Sequence, residues 1–263
     1  MGAYITSAQN PHIQHIKQLA TSSKQRQKSK QTILDGVHLA DAYLRSGGTP
    51  EQVVVATESL TNPEVSEILF RLNDSLDIIE VPLSLFERVS SLEKGVALLF
   101  VIAQPAKEQQ GELATDALLL DTVQDPGNVG AMLRTAAAAG VKDVYLSSGS
   151  ASAWAPKVLR AGMGAHFTLT IHEGVDLQAL ISQASVPVVA TSLEASHSLY
   201  EKDLTDPHAW LFGNEGAGVS GELLELCKDD AVIIPQSDGV ESLNVAAATA
   251  VCLFEQRRQR ITG

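Results

Sequence analysis

Short apolar runs separated by longer stretches of mixed polarity recur through the second half of the chain. The runs DALLLD (116–121), DVYLSS (143–148), FTLTI (167–171), PVVATS (187–192), AWLFG (209–213) and AVIIP (231–235) are short and mostly apolar. Such runs predict strands buried on both faces. The segments between them predict helices near 129–139, 153–162, 176–184, 219–227 and 243–258. Strands alternating with helices predict an α/β fold with a parallel sheet covered on both sides.

The first half is patterned less regularly. Helices are predicted near 11–20, 36–46, 63–72 and 83–89, and strands at QVVVAT (52–57), LDIIEV (76–81) and GVALLFVI (95–102). The polar segment AQPAKEQQGELAT (103–115) reads as a linker between two apolar strands. The expected division is a small α/β domain over 1–102, the linker 103–115 and a larger domain over 116–263.

Composition narrows the class. The apolar runs fall well short of the ~20 residues that cross a bilayer. The stretch MGAYITSAQNPHIQHIKQ has no apolar core of signal-peptide type. Cys227 and Cys252 fit neither a disulfide framework nor a metal cluster, so no metal is expected. The expectation is a cytoplasmic protein. A net charge of −12 argues against nonspecific, charge-driven nucleic-acid binding. Lys17, Lys24, Arg26, Lys28 and Lys30 nevertheless form an acid-free basic stretch. It reads either as a solvated face or as a phosphate-contacting arm.

Ligands of open parallel sheets sit at the carboxyl ends of the strands. Three loops there hold the candidate chemistry. In QDPGNVGAMLRTAAAAG (124–140), Asp125-Pro126-Gly127 is a turn, Asn128 is a candidate helix cap, and Arg134 lies in the second turn of the helix. In AWLFGNEGAGVSG (209–221), residues 216–221 match the dinucleotide pattern G-x-G-x-x-G. Its late position and the adjoining Glu215 oppose that reading, because a carboxylate there would repel a pyrophosphate. In DGVESLNVAAATAVCLFE (238–255), an apolar helix opens on Glu241, Ser242, Leu243 and Asn244. Those polar residues serve either as caps or as part of a site at the helix mouth.

Together, NVGAMLR (128–134), LFGNEGAGVS (211–220) and IPQSDGVESLNVAAATA (234–250) resemble the three ordered motifs of the SpoU (TrmH-type) family of RNA ribose 2′-O-methyltransferases, within the SPOUT superfamily. The stretch 5–44 resembles that family's L30e-like substrate-binding domain, less closely. The chain departs from the family at Gln236, where Met is frequent, at Ala246, where Ser is frequent, and at Asp35, where Glu is usual.

The resemblance implies a parallel sheet whose last segments form a deep trefoil knot, and a homodimer through this domain. The final helix would then be partly core and partly dimer surface. It also implies S-adenosylmethionine (AdoMet) as methyl donor and structured RNA as substrate, ribosomal ahead of transfer RNA. The implied catalytic residues are Arg134, Asn128, Glu215, Ser242 and Asn244. Glu215 would pair with Arg134, and Asn128 would position Arg134 or the hydroxyl. The implied cofactor residues are Thr191, Phe212, Gly213, Ile234, Gln236 and Leu243, with Gly213 letting the ligand approach the backbone. The basic stretch would contact RNA, joined by Lys157 and Arg160 on a helix beside the crevice. The alternatives are base methylation on the same fold, a non-enzymatic RNA-binding or assembly protein, and a nicotinamide-dependent oxidoreductase using 216–221.

Overall fold

The computed structural model describes residues 3–73, 76–90, 95–106, 111–237, 239 and 242–262. The middle of the expected linker (107–110) and Asp238, Val240 and Glu241 of the third loop lie outside the described residues. In chain order the elements begin with α1 (Pro11–Thr21), α2 (Ser23–Ser29), β1 (Gln31–Asp35), α3 (Val37–Arg45), β2 (Gln52–Ala56), α4 (Pro63–Phe70), β3 (Ile78–Val81), α5 (Leu83–Phe86) and β4 (Leu98–Ala103). They continue with β5 (Ala117–Leu120), α6 (Pro126–Ala139), β6 (Asp143–Ser147), α7 (Pro156–Gly162), β7 (Thr170–Val175), α8 (Leu177–Ser182), β8 (Val188–Ala190), β9 (His197–Ser198), β10 (Ala209–Phe212), α9 (Gly221–Leu226), β11 (Val232–Ile233) and α10 (Val245–Thr262). One local device starts three helices. Asn10-Pro11, Asn62-Pro63 and Asp125-Pro126 each pair a side-chain cap with proline in the first turn. The cap satisfies an orphan backbone N–H, and proline lacks one to satisfy.

The chain folds as two compact units, Met1–Ala106 with Trp154–Phe167, and Lys107–Ala153 with Thr168–Gly263. The first carries a mixed four-stranded sheet in the order β1-β4-β2-β3, in which only β2 and β3 are parallel. Ile13, Ile16 and Leu19 of α1 join Ile33, Val54, Leu99 and Val101 in one core. Strand β1 and helix α2 escaped the sequence reading, which assigned no element to 23–35. The apolar core of β1 is only Ile33-Leu34, yet Thr32 to Asp35 are all buried. Thr32 Oγ1 donates to the Trp154 carbonyl at 2.8 Å, tying the segment of α7 to β1. Lys157 and Arg160 on α7 therefore pack with this unit, although in sequence they fall within the segment 116–263.

The second unit holds a fully parallel five-stranded sheet, β7-β6-β5-β10-β8. Its central strands β5 and β10 are completely buried. Ala117, Leu119, Ala209 and Leu211 face one core with Leu177 and Leu180 of α8 and Leu223 of α9. The alternate residues point to the opposite face, where Trp210 Nε1 donates to Gln256 Oε1 of α10 at 2.6 Å. The sixth expected strand meets this sheet through a single parallel bridge, Val232 with Thr191 just beyond β8. AVIIP yields β11, which pairs in parallel with β9, a strand the sequence did not reveal.

A half-buried polar fastener holds α10 in place. Arg260 grips Asp116 with both terminal nitrogens, at 2.5 and 2.9 Å, and Gln256 Nε2 and the His208 backbone N–H add 3.1 Å bonds. Burial raises the Asp116 carboxyl, but Arg260 and the His208 N–H outweigh it, and it titrates below its ordinary value. Arg257 Nη1 reaches the Ala139 carbonyl at the carboxyl end of α6, where a cation is favoured. Burial pushes the Cys227 thiol up to about 11 and raises Cys252 as well, which leaves neither as a ready thiolate. Among the described residues no helix is long and apolar enough to cross a membrane.

Candidate active site

At the carboxyl end of the parallel sheet a cleft of about 550 Å³ opens within the second unit. That is the size range of small-molecule sites. Its walls include Thr191, Phe212, Gly213, Ile234, Gln236 and Leu243, all six residues expected to meet a cofactor. Glu215, Ser242 and Asn244 also border it. Leu243 is 38 % exposed, an apolar side chain left open to the cleft. Ser192, Glu194 and Asn214 line the cleft too, although the sequence reading did not assign them to it.

The Gly-rich loop is closed on itself. Asn214 and Gly218 exchange two backbone hydrogen bonds of 2.9 Å, and Asn214 Oδ1 accepts from the Gly216 and Ala217 N–H groups. Asn214 Nδ2 donates to the Thr122 carbonyl at 2.9 Å, fixing the loop to the end of β5. Thr122 itself has φ +54°, an uncommon conformation for a β-branched residue. Its N–H is held by Ser147 Oγ at 2.8 Å. The loop's return path explains Gly213. A Cβ there would lie 2.0 Å from the Gly218 carbonyl carbon and the Val219 nitrogen. The glycine is thus required by the loop's own backbone, not by a ligand's approach as the resemblance suggested. The same closure disfavours the dinucleotide reading, because the N–H groups of residues 216–218 already have partners.

Glu215 does not pair with Arg134. Its Oε1 accepts from the Asp125 N–H at 2.9 Å and from Asn128 Nδ2 at 3.0 Å, and its Oε2 from the Gln124 N–H at 3.2 Å. Burial pushes this carboxyl up, but the Asn128 and backbone donors prevail and lower its pKa. Glu215 is therefore ionised at neutral pH and serves as a brace for the loop before α6. Asn128 is not the helix cap either. Asp125 is, accepting from the Asn128 N–H at 2.9 Å, and α6 starts three residues earlier than the pattern suggested. The signal was the Asp-Pro pair. The Asn128 side chain is instead spent on both sides, since its Oδ1 accepts from Asn244 Nδ2 at 3.0 Å. Asn244 Oδ1 in turn caps the Ala246 and Ala247 N–H groups of α10. One chain of bonds, Glu215–Asn128–Asn244, thus joins all three loops. Of the residues that open α10, Asn244 is both cap and cleft wall, and Ser242 and Leu243 are cleft wall.

Arg134 stands apart from this chain. It is exposed on α6, does not border the cleft, and forms no ion pair among the described residues. Within the first unit Lys17, Lys24, Lys28 and Lys30 are exposed, as is Lys157. Arg26 is not available as expected. It is 6 % exposed and donates to the Leu19 carbonyl at 2.8 Å, closing the end of α1. Arg160 is half-buried.

Fold and site together define the class: residues 117–254 match the SpoU rRNA Methylase family, and the chain belongs to it. Residues 10–99 match the MRM3-like substrate binding domain. An uncharacterized tRNA/rRNA methyltransferase of Synechocystis is 34 % identical, covering 98 % of this chain and 94 % of its own. The 23S rRNA (guanosine(2553)-2′-O)-methyltransferase RlmP of Bacillus subtilis is 32 % identical over 96 % of this chain and 98 % of its own. The crystal structure of an AdoMet-bound rRNA methyltransferase from Sinorhizobium meliloti superposes with a TM-score of 0.82 at 28 % identity, covering 97 % of both chains.

Proposed function

We propose that this chain transfers a methyl group from AdoMet to the ribose 2′-hydroxyl of a guanosine in ribosomal RNA. The observation that carries the proposal is the bond chain Glu215–Asn128–Asn244, which joins the cleft to the helix bearing Arg134. The cleft fits the cofactor: its apolar wall of Phe212, Val232, Ile234, Leu243 and Ala248 suits a purine, and Thr191, Ser192 and Glu194 suit a polar amino-acid end. The cofactor would supply a methyl group already activated by its sulfonium. The protein must align the hydroxyl and assist loss of its proton.

Arg134 does not act as the base, because guanidinium stays protonated in proteins. It stabilises the developing alkoxide or orients the neighbouring phosphate. Glu215 is a poor base too, with both oxygens occupied and its pKa lowered. A phosphate oxygen or water is left to take the proton. Ser242, exposed at the cleft edge, is placed to hydrogen-bond the ribose or phosphate.

The small domain, taken as L30e-like over 1–102, selects the RNA. Lys17, Lys24, Lys28, Lys30 and Lys157 contribute salt-dependent phosphate contacts. The threading of the last segments into a trefoil knot, the homodimer and a cytoplasmic location complete this reading. Ala247, Phe254 and Ile261 are exposed along α10, with Val251 half-buried between them at helical spacing, as a dimer face requires. The test is label transfer from AdoMet to unmodified ribosomal and transfer RNA in parallel. Label in ribosomal RNA alone is expected. Label in transfer RNA alone would move the substrate, and cofactor binding without transfer to either would favour a non-enzymatic role.

A further inference from the structure

The cleft wall contains one group that protein contacts leave unfinished. Gln236 borders the cleft, yet its Oε1 is shut off from solvent and has no hydrogen-bond partner among the described residues. It shares the wall with Val232, Ile234, Leu243 and Ala248, none of which offers a side-chain donor. A carbonyl oxygen withdrawn from water without a partner destabilises the fold unless something else supplies the donor. A donor carried on a flat, otherwise apolar group would suit this part of the wall.

We infer that Gln236 reads the base of the cofactor by accepting a hydrogen bond from the 6-amino group of its adenine. The inference rests on the cofactor reading above. The ribose hydroxyls and the amino-acid ammonium are also donors, but the cleft offers them Thr191, Ser192 and Glu194. The adenine amino group is the donor that accompanies a flat ring into an apolar slot. Gln236 is thus a specificity-determining residue, selecting a 6-aminopurine over purines without that donor.

The test is calorimetric titration of the full chain with S-adenosylhomocysteine and with its 6-deamino analogue, which carries hydrogen at that ring position. The wild type should bind S-adenosylhomocysteine about tenfold more tightly than the analogue, as one well-made hydrogen bond allows. In Gln236→Met, of similar length and without the amide, the two ligands should bind within about twofold of each other, and affinity for the analogue should be unchanged. The ligand-free melting temperature of that variant should be equal or higher, because an unpartnered oxygen has been removed. A preference that survives in Gln236→Met, or no preference in the wild type, would overturn the assignment and leave the cofactor reading standing. Failure of the wild type to bind either ligand would overturn both.

Discussion

Replacing Gly213 by alanine separates two explanations of a site glycine. If the glycine is there for the ligand, the ligand-free protein should tolerate a methyl group and only binding should suffer. The structure gives the opposite answer. The new Cβ would sit 2.0 Å from backbone atoms of Gly218 and Val219. Ordinary carbon contacts need about 3.5 Å, so one strand of the loop must move by more than an ångström. No flexible side chain can absorb that, since the clashing atoms are main chain and are pinned by the Asn214–Gly218 pair. Overpacking against immovable neighbours costs about 3 kcal/mol, the upper end of the usual range. For a chain of this size that lowers the melting temperature by roughly 6–12 °C. The assay is scanning calorimetry of Gly213→Ala without ligand, followed by titration with S-adenosylhomocysteine. A wild-type melting temperature combined with lost binding would refute the loop-closure argument and restore the ligand explanation.

Arg134→Ala should slow methyl transfer by roughly 10²–10³-fold. Its affinity for S-adenosylhomocysteine should stay within about twofold of wild type, because Arg134 does not border the cleft. A comparable drop in affinity, read by titration, would contradict this. Arg26→Ala should lower the melting temperature and leave the salt dependence of RNA binding unchanged, since Arg26 holds the Leu19 carbonyl. Lys24→Ala with Lys28→Ala should instead reduce the slope of log affinity against log salt by about 0.7 for each phosphate no longer neutralised. Filter binding across a salt series distinguishes the two. Burial lowers the pKa of His208, so the unfolded chain takes up a proton first as pH falls through about 6.5. Stability should therefore decline from neutral pH toward pH 5. Asp116, also lowered, contributes stability that is lost only at more acidic pH, below the unfolded carboxylate value near 4. His208→Asn should flatten the decline between pH 7 and 5 in thermal melts, and an unchanged slope would count against His208 as its source.

The parallel sheet and the position of the site were legible because apolar runs report buried strands directly and functional loops follow strand ends. The six residues expected to meet a cofactor, distant in sequence, all border one cleft. What the sequence hid were relationships between distant side chains. Glu215 was expected on Arg134 because opposite charges pair, but backbone N–H groups of the neighbouring loop reached it first. Arg26 looked like one more cation in a basic stretch. Helical spacing within a segment assigned no helix could not reveal that it alone turns inward. Strand β1 was missed for a related reason. Only two aliphatic residues mark it, and its burial is completed by α7, which is more than a hundred residues distant along the chain. AVIIP was placed in the main sheet on pattern alone, and its pairing with β9 depends on a two-residue strand with no pattern of its own.

The most direct test of ribose methylation locates the transferred methyl group. Ribosomal RNA made without modifications is incubated with the protein and AdoMet labelled in the methyl group, then hydrolysed in alkali. A methylated 2′-oxygen cannot attack its own phosphodiester, so label is predicted in alkali-resistant dinucleotides. Label recovered in ordinary mononucleotides would place the methyl group on a base and contradict transfer to the ribose.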